Sequence, residues 1–166
     1  CAQALGEHIR ADYSDTDHLR QLAEEVDVVT FEFESVPAET VAFLSQFVPV
    51  YPNAESLRIA RDRWFEKSMF QDLGIPTPEF ADIQSQDNLD AAVKRIGLPA
   101  VMKTRTLGYD GKGQKVLRHP DDVVDAFAEL GSVPCILEGF VPFTGEVSLV
   151  AVRARNGETR FYPLVH

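Results

Sequence analysis

The segment that most constrains this chain is an apolar strand, a glycine-rich loop and a second strand in succession. The first strand ends at Lys103, and the loop carries Gly108, Gly111 and Gly113. Glycine tolerates positive φ and close backbone approach, so several N–H groups can converge on an anion while Lys103 adds a point charge. The segment predicts a phosphate-binding flap. The alternative is a glycine-containing β-hairpin with a solvated basic face.

The order of elements around this loop excludes the two commonest nucleotide-binding motifs. A Walker loop has the pattern G-x-x-x-x-G-K-[ST] and leads into a helix, and a Rossmann turn also leads into a helix. Here the sequence KVLRH, residues 115–119, follows the loop and has the pattern of a strand. A loop between two strands can fold over a nucleotide, with its glycines as hinges.

Charge is distributed unevenly along the chain. The 26 acidic and 16 basic residues give a formal net charge of -10, which argues against a nucleic-acid partner. Between Lys103 and Arg118, however, basic residues predominate and Asp110 is the single acid, so we expect a small anionic ligand. No apolar run approaches the ~18 residues of a membrane span, and no signal peptide is evident. We therefore expect a cytoplasmic protein without a membrane partner.

The chain divides into three predicted regions, with boundaries after residues 78 and 141. The first boundary is predicted from the proline-rich connector Gly74-Ile-Pro-Thr-Pro78, which stops the preceding helix. In the first region helices and β-branched strands alternate, which predicts a parallel, helix-covered sheet. Its predicted helices cover 15–26, 37–47 and 56–73, and its predicted strands 27–33 and 48–51. The second region predicts an α+β unit with helices over 87–96 and 120–130 and strands over 99–104, 114–117 and 134–138. The third predicts a hairpin turning at Asn156-Gly157.

Six sequence motifs resemble those of one enzyme family and occur in that family's order. They are TFEFESVP, DRWFEK, LGIPTPEF, K-T-R-x-x-G-Y-D-G-K-G-Q, ILEGFVPFTGEVS and FYPLVH. Together they are similar to the N5-carboxyaminoimidazole ribonucleotide synthetase family of the ATP-grasp superfamily. One departure is Leu107, where the family usually has glycine.

The resemblance implies a fold of mixed α/β and α+β class, the ATP-grasp fold. Residues 1–78 would be the remainder of the N-terminal parallel-sheet (pre-ATP-grasp) domain, 79–141 the lid domain, and 142–166 the start of the C-terminal domain. The family's magnesium-binding carboxylates would follow His166, and its first glycine-rich turn would precede Cys1. We therefore expect a fragment that has no metal ligands of its own and does not turn over alone.

The implied activity is the ATP-dependent carboxylation of 5-aminoimidazole ribonucleotide with bicarbonate, in de novo purine biosynthesis. The resemblance implies ATP and Mg²⁺ as cofactors, a homodimer, and a mutase that consumes the product. A sibling, the formate-dependent glycinamide ribonucleotide transformylase, would share Glu32, Arg63, Lys103 and Glu146 but lacks the pair Tyr109-Asp110 in its flap. An inactive nucleotide-binding fragment is the other alternative.

The resemblance also implies site residues. Lys103, Tyr109 and Asp110 would be catalytic. The implied ATP-binding residues are Arg63, Lys103, Gly108, Tyr109, Asp110, Gly111, Lys112, Gly113, Gln114, Glu138, Gly139, Phe140, Val141 and Glu146. Among them, Glu138 and the backbone up to Val141 would read the adenine edge, and Glu146 would accept hydrogen bonds from the ribose hydroxyls. Alternatively, Glu138 is a solvated strand end and Glu146 a hairpin charge.

Two further carboxylates, Glu32 and Glu34, lie two residues apart at the end of a predicted strand. This spacing predicts that both project to one side, with Phe31 and Phe33 on the other. The carboxyl end of a strand in an open α/β sheet is where ligands usually bind. By resemblance, Glu32 would hold the ribonucleotide together with Tyr109 and Asp110, and the position of the pair predicts that Glu34 binds it as well. The alternative is a solvated surface pair.

Overall fold

Three groups of helices and strands follow one another in the computed structural model, which describes residues 6–108 and 112–166. The first group contains α1 (Thr16–Glu25), β1 (Val29–Thr30), α2 (Ala38–Leu44), β2 (Val50–Tyr51), α3 (Ala54–Arg61) and α4 (Arg63–Asp72). Strands β1 and β2 pair in parallel, with Val29 opposite Val50. The predicted parallel pairing is confirmed, but β1 ends at Thr30, so the predicted strand over 27–33 was too long.

The core of the first group lies where α1, α2 and α3 pack together. Leu19, Val41, Leu44 and Leu57 are buried there beside Val50 of β2. Helix α1 begins where the sequence predicts, because the Asp15 carboxylate accepts a hydrogen bond from the His18 N–H.

The predicted single helix over 56–73 is wrong, because the structure has two helices there, α3 and α4, separated at Asp62. Asp62 adopts an extended conformation at φ -121° and ψ 115°, and its carboxylate accepts a hydrogen bond from the Trp64 N–H. A short acidic side chain favours such a cap over a helix interior. Helix α4 is then fixed against the next region by Trp64, whose ring meets that of Phe80 edge-on at 5.3 Å.

The second group, called the lid here, spans 80–139 and forms a four-stranded antiparallel sheet. It contains β3 (Phe80–Ile83), α5 (Gln86–Ile96), β4 (Ala100–Thr104), β5 (Gln114–Leu117), a 3-10 turn (Pro120–Asp122), α6 (Ala126–Glu129) and β6 (Cys135–Gly139). The strand order is β3-β6-β4-β5. Side chains from α5, α6 and the sheet form one buried cluster, which includes Leu89, Ala126 and Leu137.

Two predictions for the lid need correction. Strand β3 was not predicted, because four residues after a proline-rich connector give little periodic signal. The predicted helix over 120–130 is also wrong. Asp125 has a left-handed conformation at φ 59°, so a 3-10 turn precedes it and only the short α6 follows.

The third group is a hairpin of β7 (Ala151–Arg153) and β8 (Thr159–Phe161), with an isolated bridge between Ser148 and Val165. The turn lies at Asn156-Gly157, as predicted, and Gly157 takes the positive φ of 88°. No helix in the described ranges has the length and apolar character needed to cross a membrane.

Candidate functional site

A polar cavity of about 130 Å³ lies where the loop after β1, the α3–α4 junction and the loop after β4 meet. It is lined by Glu34, Ser35, Ala60, Arg61, Arg63, Glu66, Arg105, Thr106, Leu107 and Gly108. No ion pair joins Arg61 or Arg63 to a carboxylate within the described residues, and the buried Nε of Arg61 has no hydrogen-bond partner there. The cavity therefore holds two guanidinium groups without an ion pair to any described residue, together with the carboxylates of Glu34 and Glu66.

Arg63 connects α4 to the base of the flap. As the first residue of α4, it donates its backbone N–H to the carbonyl of Arg105 at 3.0 Å. Its Nη2 donates to the carbonyl of Gly108 at 3.3 Å. The helix break at Asp62 makes this possible, because it places Arg63 at the helix start, beside the end of β4.

Arg105 joins three separate elements and was missed as a structural residue by sequence reasoning. Its Nε and Nη2 donate to the Asp62 carboxylate, the latter at 2.6 Å, and its Nη1 donates to Asp82 of β3 at 3.1 Å. Hydrogen bonding to Asp62 raises the pKa of the Arg105 guanidinium above its ordinary value, and attraction to Asp82 adds to this. Arg105 therefore holds the α3–α4 junction against the sheet. From the sequence, Arg105 was recognised only as one of the basic residues between Lys103 and Arg118.

Glu138 lies buried between two lysines. Its Oε2 is 3.0 Å from the Nζ of Lys103 on β4 and 3.3 Å from the Nζ of Lys67 on α4. A carboxylate buried beside an apolar strand needs such partners. By resemblance, Glu138 would read the adenine edge, and that role stays a prediction. Within the described residues its carboxylate is paired with the two lysines.

The base of the flap requires glycine at one position. Gly113 has φ 72°, and a Cβ there would lie 2.6 Å from the Oγ1 of Thr104. Its carbonyl accepts a hydrogen bond from the Thr104 N–H at 2.7 Å, which closes the two strands of the flap. Lys112 and Gln114 are exposed on either side of it. The remaining flap residues of the sequence prediction, Tyr109, Asp110 and Gly111, lie outside the described residues.

The segment that the sequence assigns to adenine begins at the end of β6. The N–H of Gly139 donates to the backbone carbonyl of Glu79, and the N–H of Phe140 donates to the backbone carbonyl of Pro99. Val141 is half exposed, and its N–H has no hydrogen-bond partner within the described residues. Glu146 is exposed in the third group and forms no described ion pair.

The two carboxylates after β1 line different cavities. Because β1 ends at Thr30, Glu32 and Glu34 lie in a loop and not on one face of a strand, which corrects the predicted geometry. Glu34 lines the polar cavity of Arg63, whereas Glu32 lines an apolar cavity of about 330 Å³ bounded by α1 and α2.

Other candidate chemistry is absent from the described part of the chain. No group of three or more His, Cys, Asp or Glu residues there is arranged to hold a metal ion. Burial raises the pKa of the Cys135 thiol to about 11, with a further contribution from Asp82. Since the thiolate is the reactive form, Cys135 is unsuited to nucleophilic chemistry.

Comparison with sequence families places two matches end to end along the chain. The ribonucleotide synthetase preATP-grasp domain matches residues 1–61, and the ATP-grasp domain matches residues 68–166. The chain is 87% identical over 166 residues to the N5-carboxyaminoimidazole ribonucleotide synthase of Pseudomonas aeruginosa, a match that covers all of this chain and 46% of that protein.

Solved structures give the same similarity. The N5-carboxyaminoimidazole ribonucleotide synthetase of Thermus thermophilus has a TM-score of 0.88 at 44% identity and covers 99% of this chain and 44% of its own. The N5-carboxyaminoimidazole synthetase of Staphylococcus aureus complexed with ADP has a TM-score of 0.92 at 30% identity. This match covers 99% of the present chain and 44% of the Staphylococcus aureus chain. The chain thus spans less than half the length of these relatives.

Proposed function

The chain belongs to the ATP-grasp family, and from this premise we propose that it forms part of an N5-carboxyaminoimidazole ribonucleotide synthase. The intact enzyme would carboxylate 5-aminoimidazole ribonucleotide with ATP and bicarbonate, releasing ADP and phosphate. The observation that carries the proposal is the 87% identity, over every residue of this chain, to the Pseudomonas aeruginosa enzyme. In the proposed division, residues 1–78 belong to the pre-ATP-grasp domain, 79–141 to a lid domain that contains the lid described above, and 142–166 to the C-terminal domain.

We propose that ATP phosphates bind between α4 and the flap. Arg63 of α4 contacts Gly108 at the flap base, and Lys103 of β4 shares the Glu138 carboxylate with Lys67 of α4. Arginine suits a phosphate ligand because its planar fork donates two parallel hydrogen bonds. The amides from Gly108 to Gln114 would close over the phosphates.

The adenosine would lie along the segment that follows β6. The N–H of Val141, which has no hydrogen-bond partner within residues 6–108 and 112–166, can donate to an adenine ring nitrogen. Gly139 and Phe140 fix the segment through their own hydrogen bonds. Glu138 would contribute to this site through its backbone and through its carboxylate, which contacts Lys67 and Lys103. We propose that the carboxylate of Glu146 accepts hydrogen bonds from the ribose hydroxyls.

The proposed chemistry has two steps. A bicarbonate oxygen attacks the γ-phosphorus of ATP, ADP leaves and carboxyphosphate forms. The amine of the ribonucleotide then attacks the carboxyl carbon, phosphate leaves and the amine loses a proton. Lys103 would stabilise the charge of the transferring phosphoryl group. Asp110 would accept the proton or orient the amine, with Tyr109, Glu32 and Glu34 holding the ribonucleotide.

Magnesium bound to the ATP phosphates would neutralise their charge in this family's chemistry. The described residues offer no group of ligands that fits it. We propose that its ligands belong to the part of the intact enzyme that follows His166. A cytoplasmic homodimer whose product passes to a mutase completes the proposal.

The test is an assay of the intact protein with ATP and bicarbonate, with and without the ribonucleotide. We expect one ADP for each aminoimidazole consumed, and none above background from the 166-residue chain alone. Lys103→Met should abolish most turnover, whereas Lys94→Met, an exposed lysine on α5, should not. Turnover only with formate and glycinamide ribonucleotide would favour the transformylase, and no turnover with either pair would favour an inactive nucleotide-binding protein.

Asp110 distinguishes the carboxylase from its sibling. A carboxylate among phosphate-binding glycines repels the anion that the loop binds, so another group must require it. Asp110→Asn should leave ATP affinity near that of the wild type, yet lower ribonucleotide-dependent turnover by roughly 10² to 10⁴. A variant with full carboxylation activity would show that Asp110 has no role in the reaction.

A further inference from the structure

Lys67 is a further cation beside Lys103 of the proposed phosphate site. It lies one helical turn after Arg63 on α4, so both side chains share one face of that helix. Its Nζ lies 3.3 Å from Glu138, and its side chain is only 19% exposed. Lys67 belongs to the motif DRWFEK and is not among the residues proposed above to contact ATP or to take part in the reaction.

Lys67, Lys103 and Glu138 form one charged cluster. Lys67 and Lys103 contact the same carboxylate oxygen, Oε2 of Glu138, whose side chain is 7% exposed. Two ammonium groups around one carboxylate leave one net positive charge. If Lys67 were absent, Glu138 would pair with Lys103 alone, and that pair would be neutral.

We propose that Lys67 is a positioning residue for nucleotide binding, which shares the Glu138 carboxylate so that Lys103 retains a net positive charge for the phosphates. The inference rests on the proposed function, which supplies ATP as the ligand. Lys67 need not touch the nucleotide. It acts because a carboxylate with a second cation attracts Lys103 less strongly, and this attraction competes with that of the phosphates.

Charge sharing through Glu138 and direct contact between Lys67 and a phosphate predict different results for a double variant. Lys67→Met reduces the cluster to zero net charge and should weaken ATP binding about tenfold, the lower end of what one charge-assisted hydrogen bond contributes. Adding Glu138→Gln restores one net positive charge, so the double variant should bind ATP more tightly than Lys67→Met. Lys67→Arg keeps the charge and should also bind normally.

The experiment measures dissociation constants of ATP and adenosine for the intact protein and each variant, with Lys94→Met as the matched control. Adenosine carries no phosphate, so its affinity should not change in Lys67→Met. Equal loss for ATP and adenosine would show a merely structural role and overturn the proposal. A double variant as weak as Lys67→Met would show direct contact with phosphate and overturn it as well, as would unchanged ATP affinity in Lys67→Met.

The two proposals fail separately. ATP binding is measured without bicarbonate or ribonucleotide, so a protein that binds ATP but carboxylates nothing would refute the proposed function and leave the Lys67 result intact. If Glu138→Gln prevents folding, Glu138→Met in the Lys67→Met background gives the same charge count, and ATP against adenosine in Lys67→Met still tests for a merely structural role. A wild-type protein that binds no adenine nucleotide would overturn both.

Discussion

The lid and the C-terminal hairpin both pair their strands antiparallel, but they differ in what covers those strands. In the lid, α5 and α6 pack on the sheet, and Ile83, Met102 and Leu137 are fully buried. In the hairpin no residue of β7 or β8 is buried, and Phe161 is 67% exposed. A two-stranded hairpin without a second layer is marginally stable at best. Both regions therefore share antiparallel pairing, and what distinguishes the lid in this chain is the layer of helices that buries its sheet.

The largest expected effect comes from the lid core. Leu137→Ala removes a fully buried side chain from β6 and should lower the free energy of unfolding by about 2 to 5 kcal/mol, measured by urea denaturation of the 166-residue chain. The matched change in the hairpin, Val152→Ala, should alter it by less than ~0.5 kcal/mol, because that side chain is half exposed. Similar losses from both changes would contradict the comparison.

A second change tests whether the tight packing of the lid extends to the flap base. Gly113→Ala would place a Cβ 2.6 Å from Thr104 Oγ1 in a residue with φ 72°, and should cost about 2 kcal/mol or more in unfolding free energy. Gly131→Ala is the control, because Gly131 has φ 83° but nothing within 4 Å of its Cβ. It should cost only the backbone strain, about 1 kcal/mol.

A rescue variant separates the clash from the strain. Thr104→Ala removes the atom that the new Cβ would meet, so the double variant with Gly113→Ala should regain stability relative to Gly113→Ala alone. If it regains none, the loss does not arise from the contact with Thr104.

The sequence predicted the elements of the lid better than it predicted their contacts. Strand β5 begins and ends where predicted, and Lys103 lies at the end of β4, because both follow from local periodicity and glycine spacing. Arg105 could not be assigned to Asp62 and Asp82, which lie 43 and 23 residues away, because tertiary packing decides which charges meet.

The same limit explains the errors in the first group and the open points at the site. Asp62 lies within a continuous helical pattern, and only its engagement by Arg105 and its role as a cap show why the helix breaks there. The shared partner of Lys67 and Lys103 was also hidden, because α4 and β6 are far apart in sequence. The roles of the individual site residues in binding and catalysis stay predictions.

The smallest expected effect concerns Leu107, where the tight packing of the lid gives way to the exposed flap. Leu107 has φ 63°, a conformation that favours glycine, and its side chain is 69% exposed, so packing does not compensate the strain. Leu107→Gly should therefore raise the free energy of unfolding by about 1 kcal/mol, measured by urea denaturation. Leu107→Ala keeps the Cβ and so keeps the strain, and it should leave stability nearly unchanged. If alanine stabilises the chain as much as glycine does, the cost lies in the exposed leucine side chain, and the backbone of the flap is as relaxed at this residue as the sheet from which it extends.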